Sequence, residues 1–202
     1  MLMNKVEFMS MNNPVRGFIQ DRIEMQRIRQ LVQLENDKVV LEIGCGNGHG
    51  TKLIKKYFQP KKIVAIDLDP KMIKIAKKNN TDPSILFTVG DVANLASIPD
   101  KSFDAVFDFG IIHHIPNWQD CLSELKRVLK PEGKLILEDL SIETFTQGIG
   151  NIYRMILKHP YKEMFTRTEF ISYLDKLGFK IVKNEVRNPL RLMEYFIVIA
   201  NK

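Results

Sequence analysis

The chain has little of what would support a disulfide scaffold or a membrane anchor. Only two of its 202 residues are cysteine, Cys45 in a glycine-rich turn and Cys121 in a helical pattern. The sequence therefore offers no disulfide framework and predicts no metal site. No apolar run approaches the ~18 residues that a transmembrane helix needs, and the first eleven residues mix polar with apolar side chains. We expect a cytoplasmic protein with neither a signal peptide nor a membrane anchor.

The composition also lacks the biases that indicate disorder. Hydrophobic residues make up 45% and charged residues 27%, without low-complexity tracts or an excess of proline and glycine. A chain of this length is long enough for the full core of one α/β domain and short for two. We therefore predict a single domain over 1–202, of which only 1–12 is expected to be flexible.

The formal net charge of +6 and the pI near 9.2 raise the question of a polyanionic partner. The lysines are spread over positions that are predicted to be the solvated outer faces of helices. The positions are Lys52, Lys55, Lys56, Lys61, Lys62, Lys71, Lys74, Lys77 and Lys78. This spread favours a lysine-rich surface over a binding patch, so we expect no nucleic-acid partner.

Apolar periodicity predicts alternating strands and helices. The N-terminal helix, a candidate lid, covers 13–34. The predicted strands are 38–43, 62–66, 85–89, 105–109 and 134–139, and the helices between them are 50–57, 70–79 and 118–129. This order is typical of a Rossmann-like α/β three-layer sandwich with a mostly parallel sheet and a cofactor-binding core over 35–140.

The pattern changes after residue 140. A helical stripe runs through 142–165, a helix is predicted over 167–177, and two strands over 179–186 and 192–200 flank a turn around Asn188-Pro189. We therefore expect a substrate-side insertion over 141–168, followed by a closing helix and hairpin over 169–202. With these two strands, the predicted sheet has seven strands and ends in an antiparallel hairpin.

The most informative segment is an apolar strand that continues into alternate glycines, from Val39 to Gly48. Glycines at such a turn let the backbone fold tightly and let a ligand approach the peptide groups. A turn of this kind also serves dinucleotide or phosphate sites, or merely connects two elements. The spacing excludes a P-loop, because no Gly-Lys-Ser/Thr ending follows Gly48.

A carboxylate, Asp67, ends the second predicted strand about twenty residues after the glycines. A carboxylate at that position can accept hydrogen bonds from both hydroxyls of a ribose. The structural alternative is that Asp67 or Asp69 only caps the next helix. We assign the cap to Asp69, which precedes Pro70, and this leaves Asp67 for a ligand.

Three further motifs follow in order. Gly90-Asp91-Val92 follows the third strand, Phe103-Asp104 opens the fourth, and Arg127–Lys134 reads Arg-Val-Leu-Lys-Pro-Glu-Gly-Lys. With Glu42–Gly48 and Asp67 these make five ordered matches over roughly 39–140. The set resembles the class I, Rossmann-like S-adenosylmethionine-dependent methyltransferases and, in a general way, their small-molecule and quinone-methylating branch.

The resemblance implies S-adenosylmethionine as cofactor, with S-adenosylhomocysteine as product, and assigns residues to it. Gly44, Gly46 and the backbone near Cys45 would cradle the methionine part, with Gly48 in the same loop and Glu42 orienting it. Asp67 would hold the ribose. Leu68 and Met72 would flank the adenine, Asp91 and Val92 would meet its amino edge, and Phe109 and Gly110 would lie near the sulfonium. The chain departs from the family's pattern at Glu132, where glycine is frequent, and at Phe109, which replaces a polar residue.

A sulfonium is already an activated electrophile, so positioning and desolvation can supply most of the rate acceleration. A general base is needed only if the acceptor keeps a proton that it does not lose unaided. His113 and His114, just beyond the fourth predicted strand, are the candidates. A structural or capping role is the alternative for both.

The acceptor site is expected between the N-terminal helix and the insertion. Its candidate residues are Phe18, Phe145, Tyr153, His159, Tyr161 and Phe165. This mostly apolar set predicts a small, partly hydrophobic acceptor. The alternative is that the same residues are ordinary core packing under a lid.

Two other functions remain open at this point. One keeps the cofactor and has RNA or a protein as acceptor, on account of the net charge; the other is a cofactor-binding regulatory protein without chemistry of its own. Basic residues such as Arg154 lie beside the insertion's apolar stripe, so peripheral contact with an anionic membrane is a further alternative. The sequence is compatible with a monomer or a homodimer.

Overall fold

The computed structural model of the protein describes residues 13–147, 150–157, 159–188 and 193–202. The expected flexible segment 1–12, Ile149 of the predicted stripe, Pro189 and Leu192 lie outside the described residues. The α-helices are α1 Pro14–Ile19, α2 Gln26–Leu31, α3 His49–Phe58, α4 Pro70–Asn79, α5 Trp118–Val128, α6 Gly150–Ile156 and α7 Arg167–Lys176. The strands are β1 Val39–Ile43, β2 Lys62–Asp67, β3 Ile85–Val89, β4 Phe103–Phe109, β5 Leu129–Asp139, β6 Lys180–Arg187 and β7 Tyr195–Asn201.

The seven strands form one sheet in the order β3-β2-β1-β4-β5-β7-β6. The pairs from β3 to β5 are parallel, whereas β7 is antiparallel to both β5 and β6. Ile43 at the end of β1 pairs with Ile66 on one side and with Asp108 on the other. The carboxyl ends of β1, β2 and β4 therefore meet at one edge, and the predicted fold is confirmed.

Each face of the sheet carries its own apolar layer. Leu41 packs with Trp118 and Leu125 of α5 and Phe170 of α7 on one face. Val40, its neighbour in β1, packs on the other face with residues of α2 and α3. Successive strand residues point to opposite faces, so the buried run of β1 supplies both layers, as in a parallel sheet covered twice.

The N-terminal helix is shorter and less regular than predicted. A π-helical segment, Gln20–Met25, joins α1 to α2, and Val32 is already extended. The segment is fastened to α3, because Asp21 accepts hydrogen bonds from Tyr57 Oη at 2.6 Å and from Lys56 Nζ at 3.1 Å. A π-helical turn shifts the register of the side chains that follow it, which the 3.6-residue periodicity of the sequence does not reveal.

The prediction of one helical stripe through 142–165 is wrong. A 3₁₀ turn, Ile142–Phe145, is followed by the separate short helix α6, and the chain is irregular from Pro160 to Met164. Thr144 holds the turn in place, since its hydroxyl donates to the carbonyl of Glu194 at 2.7 Å. A tertiary contact to the residue that precedes β7 thus holds this turn, which helical periodicity does not predict.

The predicted turn before β5 is part of that strand in the structure. β5 begins at Leu129, which pairs with Phe103, and a register shift follows before Lys134 pairs with Ala105. Glu132 has a φ of 61° in this irregular stretch. Glu132 thus stands, in place of the glycine that is frequent in the family, at a position with a left-handed backbone conformation. Glycine adopts that conformation without steric cost.

Nearly all of the lysines expected on solvated faces are exposed in the structure, and Lys55 is half-buried. Among the helices of the described ranges, none has the length and apolar character required to cross a membrane.

Candidate functional site

The glycine-rich loop after β1 needs glycine for two different reasons. Gly44 has a φ of 62°, and a Cβ there would lie 2.5 Å from the side chain of Ile111. Gly46 has a φ of 52°, and a Cβ there would meet nothing within 4 Å. The first glycine permits a close approach to the loop after β4, and the second leaves a bare peptide beside an open crevice.

Asp67 holds this loop in place while facing the same crevice. Its carboxylate accepts the backbone N–H of Gly46 at 2.8 Å through one oxygen and that of Asp69 at 2.8 Å through the other. Burial raises the pKa of Asp67, although these two hydrogen bonds oppose the effect. Because each carboxylate oxygen has two acceptor positions, Asp67 can still accept hydrogen bonds from a ligand's hydroxyls.

The helix cap at Asp69 has the predicted form. Its side chain accepts the backbone N–H of Lys71 at 2.8 Å at the start of α4. Asp91 has an equivalent local role after β3, since it accepts the N–H of Ala93 at 2.9 Å. Both carboxylates also line the crevice next to Asp67.

Two adjoining crevices run along the carboxyl edge of the sheet. The sheet-side crevice, with a cavity volume of about 220 Å³, is lined by Gly44, Gly46, Asp67, Leu68, Asp69, Gly90, Asp91, Val92, Phe109, Gly110, Ile111, His114, Ile115, Pro116 and Asn117. The helix-side crevice, about 420 Å³, is lined by Asn13, Gly17, Phe18, Gln20, Asp21, Glu42, Gly44, Cys45, Gly46, Asn47, His49, Gly50 and Phe109. They share Gly44, Gly46 and Phe109 and so form one elongated site around the glycine loop.

The site is acidic although the chain as a whole is basic. Five of the lining residues are acidic, and among the described residues that line the crevices none is lysine or arginine. The acidic ones are Asp21, Glu42, Asp67, Asp69 and Asp91. A ligand that carries positive charge is therefore favoured over a phosphate-rich one.

Glu42 is the most perturbed of these acids. It lies at 2% exposure in β1 and accepts a short hydrogen bond from the hydroxyl of Thr51 in the first turns of α3. Burial raises the pKa of Glu42 to about 8; the Thr51 hydrogen bond opposes this shift, while the charges of Asp67 and Asp108 add to it. Glu42 thus ties β1 to α3 beneath the glycine loop.

His113 is a buried residue of the loop that follows β4. Its backbone N–H and its ring Nδ1 contact the two carboxylate oxygens of Asp139, at 3.2 and 2.5 Å. Asp108, at the adjacent end of β4, is also buried, and its Oδ1 accepts the N–H of Ile111 at 3.0 Å. Burial raises the pKa of Asp139 and of Asp108, and in Asp108 the neighbouring charge of Asp139 adds to the effect.

His114 lies next to His113 but reaches the sheet-side crevice. Its Nδ1 is 3.1 Å from Nδ1 of His159, which comes from the insertion. Burial lowers the pKa of His114 well below its usual value, and the neighbouring His113 and His159 add to the effect. His114 is therefore neutral near pH 7, the state that can accept a proton or bind a metal ion. Phe145 and Tyr161 pack around His159 at ring-centroid distances of 4.9 and 5.4 Å.

Comparison with known proteins identifies the architecture of this site. Residues 41–137 match the family model described as a methyltransferase domain. Over this range the chain is similar to methyltransferase domains. This match supports the family and the S-adenosylmethionine cofactor expected from the five motifs, and the matched range contains most of β1, all of β2 to β4, the glycine loop and most of β5.

The fold extends over the whole chain, whereas the sequence similarity is confined to the core. An S-adenosylmethionine-dependent methyltransferase from Aquifex aeolicus superposes with a TM-score of 0.76 over 99% of each chain at 20% identity. The phthiotriol/phenolphthiotriol dimycocerosates methyltransferase of Mycobacterium leprae is 35% identical over 103 residues, which are 51% of this chain and 38% of that protein. The fatty-acid O-methyltransferase of Mycolicibacterium smegmatis is 34% identical over 102 residues, 50% and 37% of the two chains. The matches thus span less than half the length of these curated relatives.

Most of the residues predicted for the cofactor line the crevices of the methyltransferase domain. They are Glu42, Gly44, Cys45, Gly46, Asp67, Leu68, Asp91, Val92, Phe109 and Gly110. Met72 is fully buried and lines neither crevice. Gly48 does not line them either, since a Cβ there would meet the side-chain nitrogen of Asn80 at 2.4 Å. Met72 and Gly48 therefore pack within the protein rather than line the crevices.

The residues predicted for the acceptor are dispersed. Phe18 lines the helix-side crevice and is 63% exposed. Phe145, His159 and Tyr161 pack together beside His113, and Tyr153 of α6 is half-buried. Phe165 belongs to the apolar core with Trp118, so its position supports packing rather than ligand contact.

The predictions named Gly110, His113 and His114 in the loop after β4 but omitted its apolar residues and the acids beneath it. Ile111, Ile115 and Pro116 supply the apolar wall of the sheet-side crevice. Asp139, the partner of His113, ends β5 with two consecutive acids in the sequence, Glu138-Asp139. Two acids at the end of a predicted apolar strand were the available signal for a polar site at that edge.

Proposed function

We propose that this chain transfers a methyl group from S-adenosylmethionine to a small, partly apolar acceptor. The observation that carries the proposal is the elongated crevice itself. Its lining combines bare glycine peptides and five acids with an apolar wall and His114, and the wall and His114 belong to the sheet-side crevice. The acids and glycines suit a cationic nucleoside cofactor, and the apolar wall with His114 suits an uncharged acceptor with a polar group.

The residues present fit the cofactor. Asp67 would accept the ribose hydroxyls with the acceptor positions that Gly46 and Asp69 leave open, and Asp91 with Val92 would meet the adenine edge. The open space at Gly46, which a Cβ would fill, would receive the methionine part. When bound, the cofactor supplies a methyl group on a sulfonium that needs no further activation. The chain's own contribution is then to orient the two ligands and to exclude water.

The acceptor end is apolar with one basic group. Ile111, Ile115 and Pro116 line it, and among the described residues of this crevice His114 is the basic side chain. We assign the contact with the acceptor's polar atom to His114 rather than His113, because Asp139 already engages the ring of His113 and His113 is 4% exposed. The curated relatives are named for lipid acceptors, which supports an apolar substrate class.

The exposed face of α6 supports supply of such an acceptor from a membrane. Ile152, Met155 and Ile156 are more than half exposed, and Arg154 lies between them on the same short helix. An apolar helix face with a basic neighbour suits the interface of an anionic bilayer.

Sedimentation with anionic vesicles tests this contact. Met155→Glu should reduce binding to the vesicles, and Lys52→Glu, on α3, should not. Equal binding by both variants would exclude α6.

The acidity of the site weighs against the two other functions. A polyanionic acceptor such as RNA would have to enter beside Asp67, Asp69 and Asp91, whose charges repel phosphates. A purely regulatory role would leave the acceptor wall and His114 without a use. The basic surface lies on the outer faces of helices, away from the crevice lining.

The decisive experiment is methyl transfer from isotope-labelled S-adenosylmethionine into fractionated cell extract. We expect label in a lipid or small-molecule fraction, with mass spectrometry identifying the product. His114→Ala should lower kcat/KM for the unmethylated acceptor by roughly 100-fold, the lower end of the range for a general acid or base. The affinity for the cofactor should stay unchanged. Label in RNA or protein alone would refute the acceptor class. Cofactor binding without any labelled product would favour the regulatory function.

A further inference from the structure

Three of the four histidines of the chain meet at one point of the structure. His113 and His114 come from the 3₁₀ turn after β4, and His159 comes from the insertion 45 residues later. One ring nitrogen of each lies within 4.8 Å of the other two. We propose that His113, His114 and His159 bind a single divalent transition-metal ion, for which Zn²⁺ is the probe.

The separations of the rings suit one ion. The ring centroids of His113 and His114 are 4.1 Å apart, those of His114 and His159 4.4 Å, and those of His113 and His159 5.1 Å. With Zn–N bonds of about 2.0–2.1 Å, imidazoles on a tetrahedral ion have centroids about 5 Å apart and bound nitrogens about 3.4 Å apart. Nδ1 of His114 and Nδ1 of His159 are already 3.1 Å apart. Side-chain rotations that bring one nitrogen of each ring from within 4.8 Å to this distance would complete the site.

Asp139 supplies the outer partner that protein metal sites use. Metal-binding histidines usually donate their other ring N–H to a carboxylate, which orients the ring and increases its basicity. His113 has this arrangement, since its Nδ1 is 2.5 Å from the carboxylate of Asp139. The backbone N–H of Leu140 in turn donates to the same oxygen at 2.7 Å. Nε2 of His113 is then the nitrogen that would bind the ion.

The position of the cluster indicates what such an ion would do. Three imidazoles leave a fourth coordination position open, as in catalytic zinc sites. His114 also lines the acceptor end of the sheet-side crevice. The open position would accept an oxygen of the acceptor and lower its pKa, in place of proton uptake by His114. This last step rests on the proposed function, whereas the binding of the ion does not.

The test measures metal binding to the full chain without methyl donor or acceptor. Chelator-treated protein is dialysed against Zn²⁺ or Co²⁺, and bound metal is counted by elemental analysis. We expect one ion per chain and, with Co²⁺, the visible bands of tetrahedral coordination. His159→Asn and Asp139→Asn should each weaken binding at least tenfold, as expected for loss of a ligand and of an outer partner. The matched control is His49→Asn, the fourth histidine, whose ring contacts the carbonyl of Gly17 instead.

Each outcome decides the inference. The absence of stoichiometric binding by wild type would overturn it, and so would equal binding by His159→Asn and wild type. Equal loss in His49→Asn would show adventitious metal on surface histidines and would also overturn it. Thermal unfolding confirms that each variant is folded, and His114→Asn serves as a second ligand variant if Asp139→Asn unfolds. Because the readout is bound metal, failure of methyl transfer leaves this result unaffected.

Discussion

Replacement of Glu42 by glutamine isolates the cost of an acid buried beneath the glycine loop. Glutamine keeps the shape of the side chain and can still accept the hydroxyl hydrogen of Thr51. Glutamine has no carboxyl proton, so the side chain at this position no longer titrates. The variant should therefore be stabilised relative to wild type at high pH and little changed at low pH.

The magnitude follows from the pKa of Glu42, which rises from 4.5 to about 8 on folding, mainly through burial. The folded state holds the proton more tightly than the unfolded state, so the contribution to stability is complete below pH 4.5 and is lost as the pH rises through 8. At about 1.4 kcal/mol for each unit of pKa, wild type should lose about 4 kcal/mol from this group between about pH 5 and about pH 9.

Urea unfolding of both proteins across this pH range gives the measurement. The free energy of unfolding of Glu42→Gln minus that of wild type should grow by about 4 kcal/mol from about pH 5 to about pH 9. The difference cancels the titration of groups that do not interact with Glu42, because these groups titrate alike in both proteins. Glu163→Gln, at an exposed position, is the matched control and should show a flat difference. A flat difference for Glu42→Gln would refute the burial argument.

Two further substitutions test other parts of the site and fold. Asp67→Asn should weaken binding of S-adenosylhomocysteine by about 1.5–3 kcal/mol, the range for a hydrogen bond to a charged group. Calorimetry measures this against Asp120→Asn in α5, and unchanged affinity with an intact fold would remove Asp67 from the ribose site. Glu132→Gly should raise the free energy of unfolding by up to about 1 kcal/mol, because it relieves a left-handed backbone at φ 61°. If urea unfolding shows that the variant is less stable, the Glu132 side chain makes a contact whose stabilising free energy exceeds the cost of the left-handed backbone.

Local signals in the sequence predicted the sheet and one side of the site. The order of apolar strands determines which carboxyl ends meet, because parallel crossovers have one hand. Asp67 and Asp69 could be given separate roles from one dipeptide pattern, since Pro70 indicates the cap. The glycine spacing likewise predicts bare peptides, a property of the backbone that needs no long-range contact.

Long-range contacts determine what the sequence did not reveal. The site of His113 depends on Asp139, 26 residues later on another strand, and the partner of His114 is 45 residues away on the insertion. Periodicity assigned one helical stripe to the insertion, but Phe145 is buried among the aromatic rings of the histidine cluster while Ile152 of the same stripe is 56% exposed. Side chains that look alike in a pattern thus face opposite environments, because tertiary packing overrides local preference.

The contrast between a basic surface and an acidic crevice has a consequence for turnover. Surface lysines on α3 and α4 are solvated, and salt screens charges over about 10 Å at 0.1 M, so they offset little of the field inside the crevice. The field of Asp67, Asp69 and Asp91 therefore acts on whatever occupies the site, whereas Glu42, whose pKa is about 8, is protonated near pH 7. Methyl transfer converts a sulfonium into a neutral thioether, which removes the charge that this field attracts. We therefore expect the acids of the crevice to bind the methyl donor more tightly than the demethylated product. A new donor molecule can then displace the product without any change in the shape of the site.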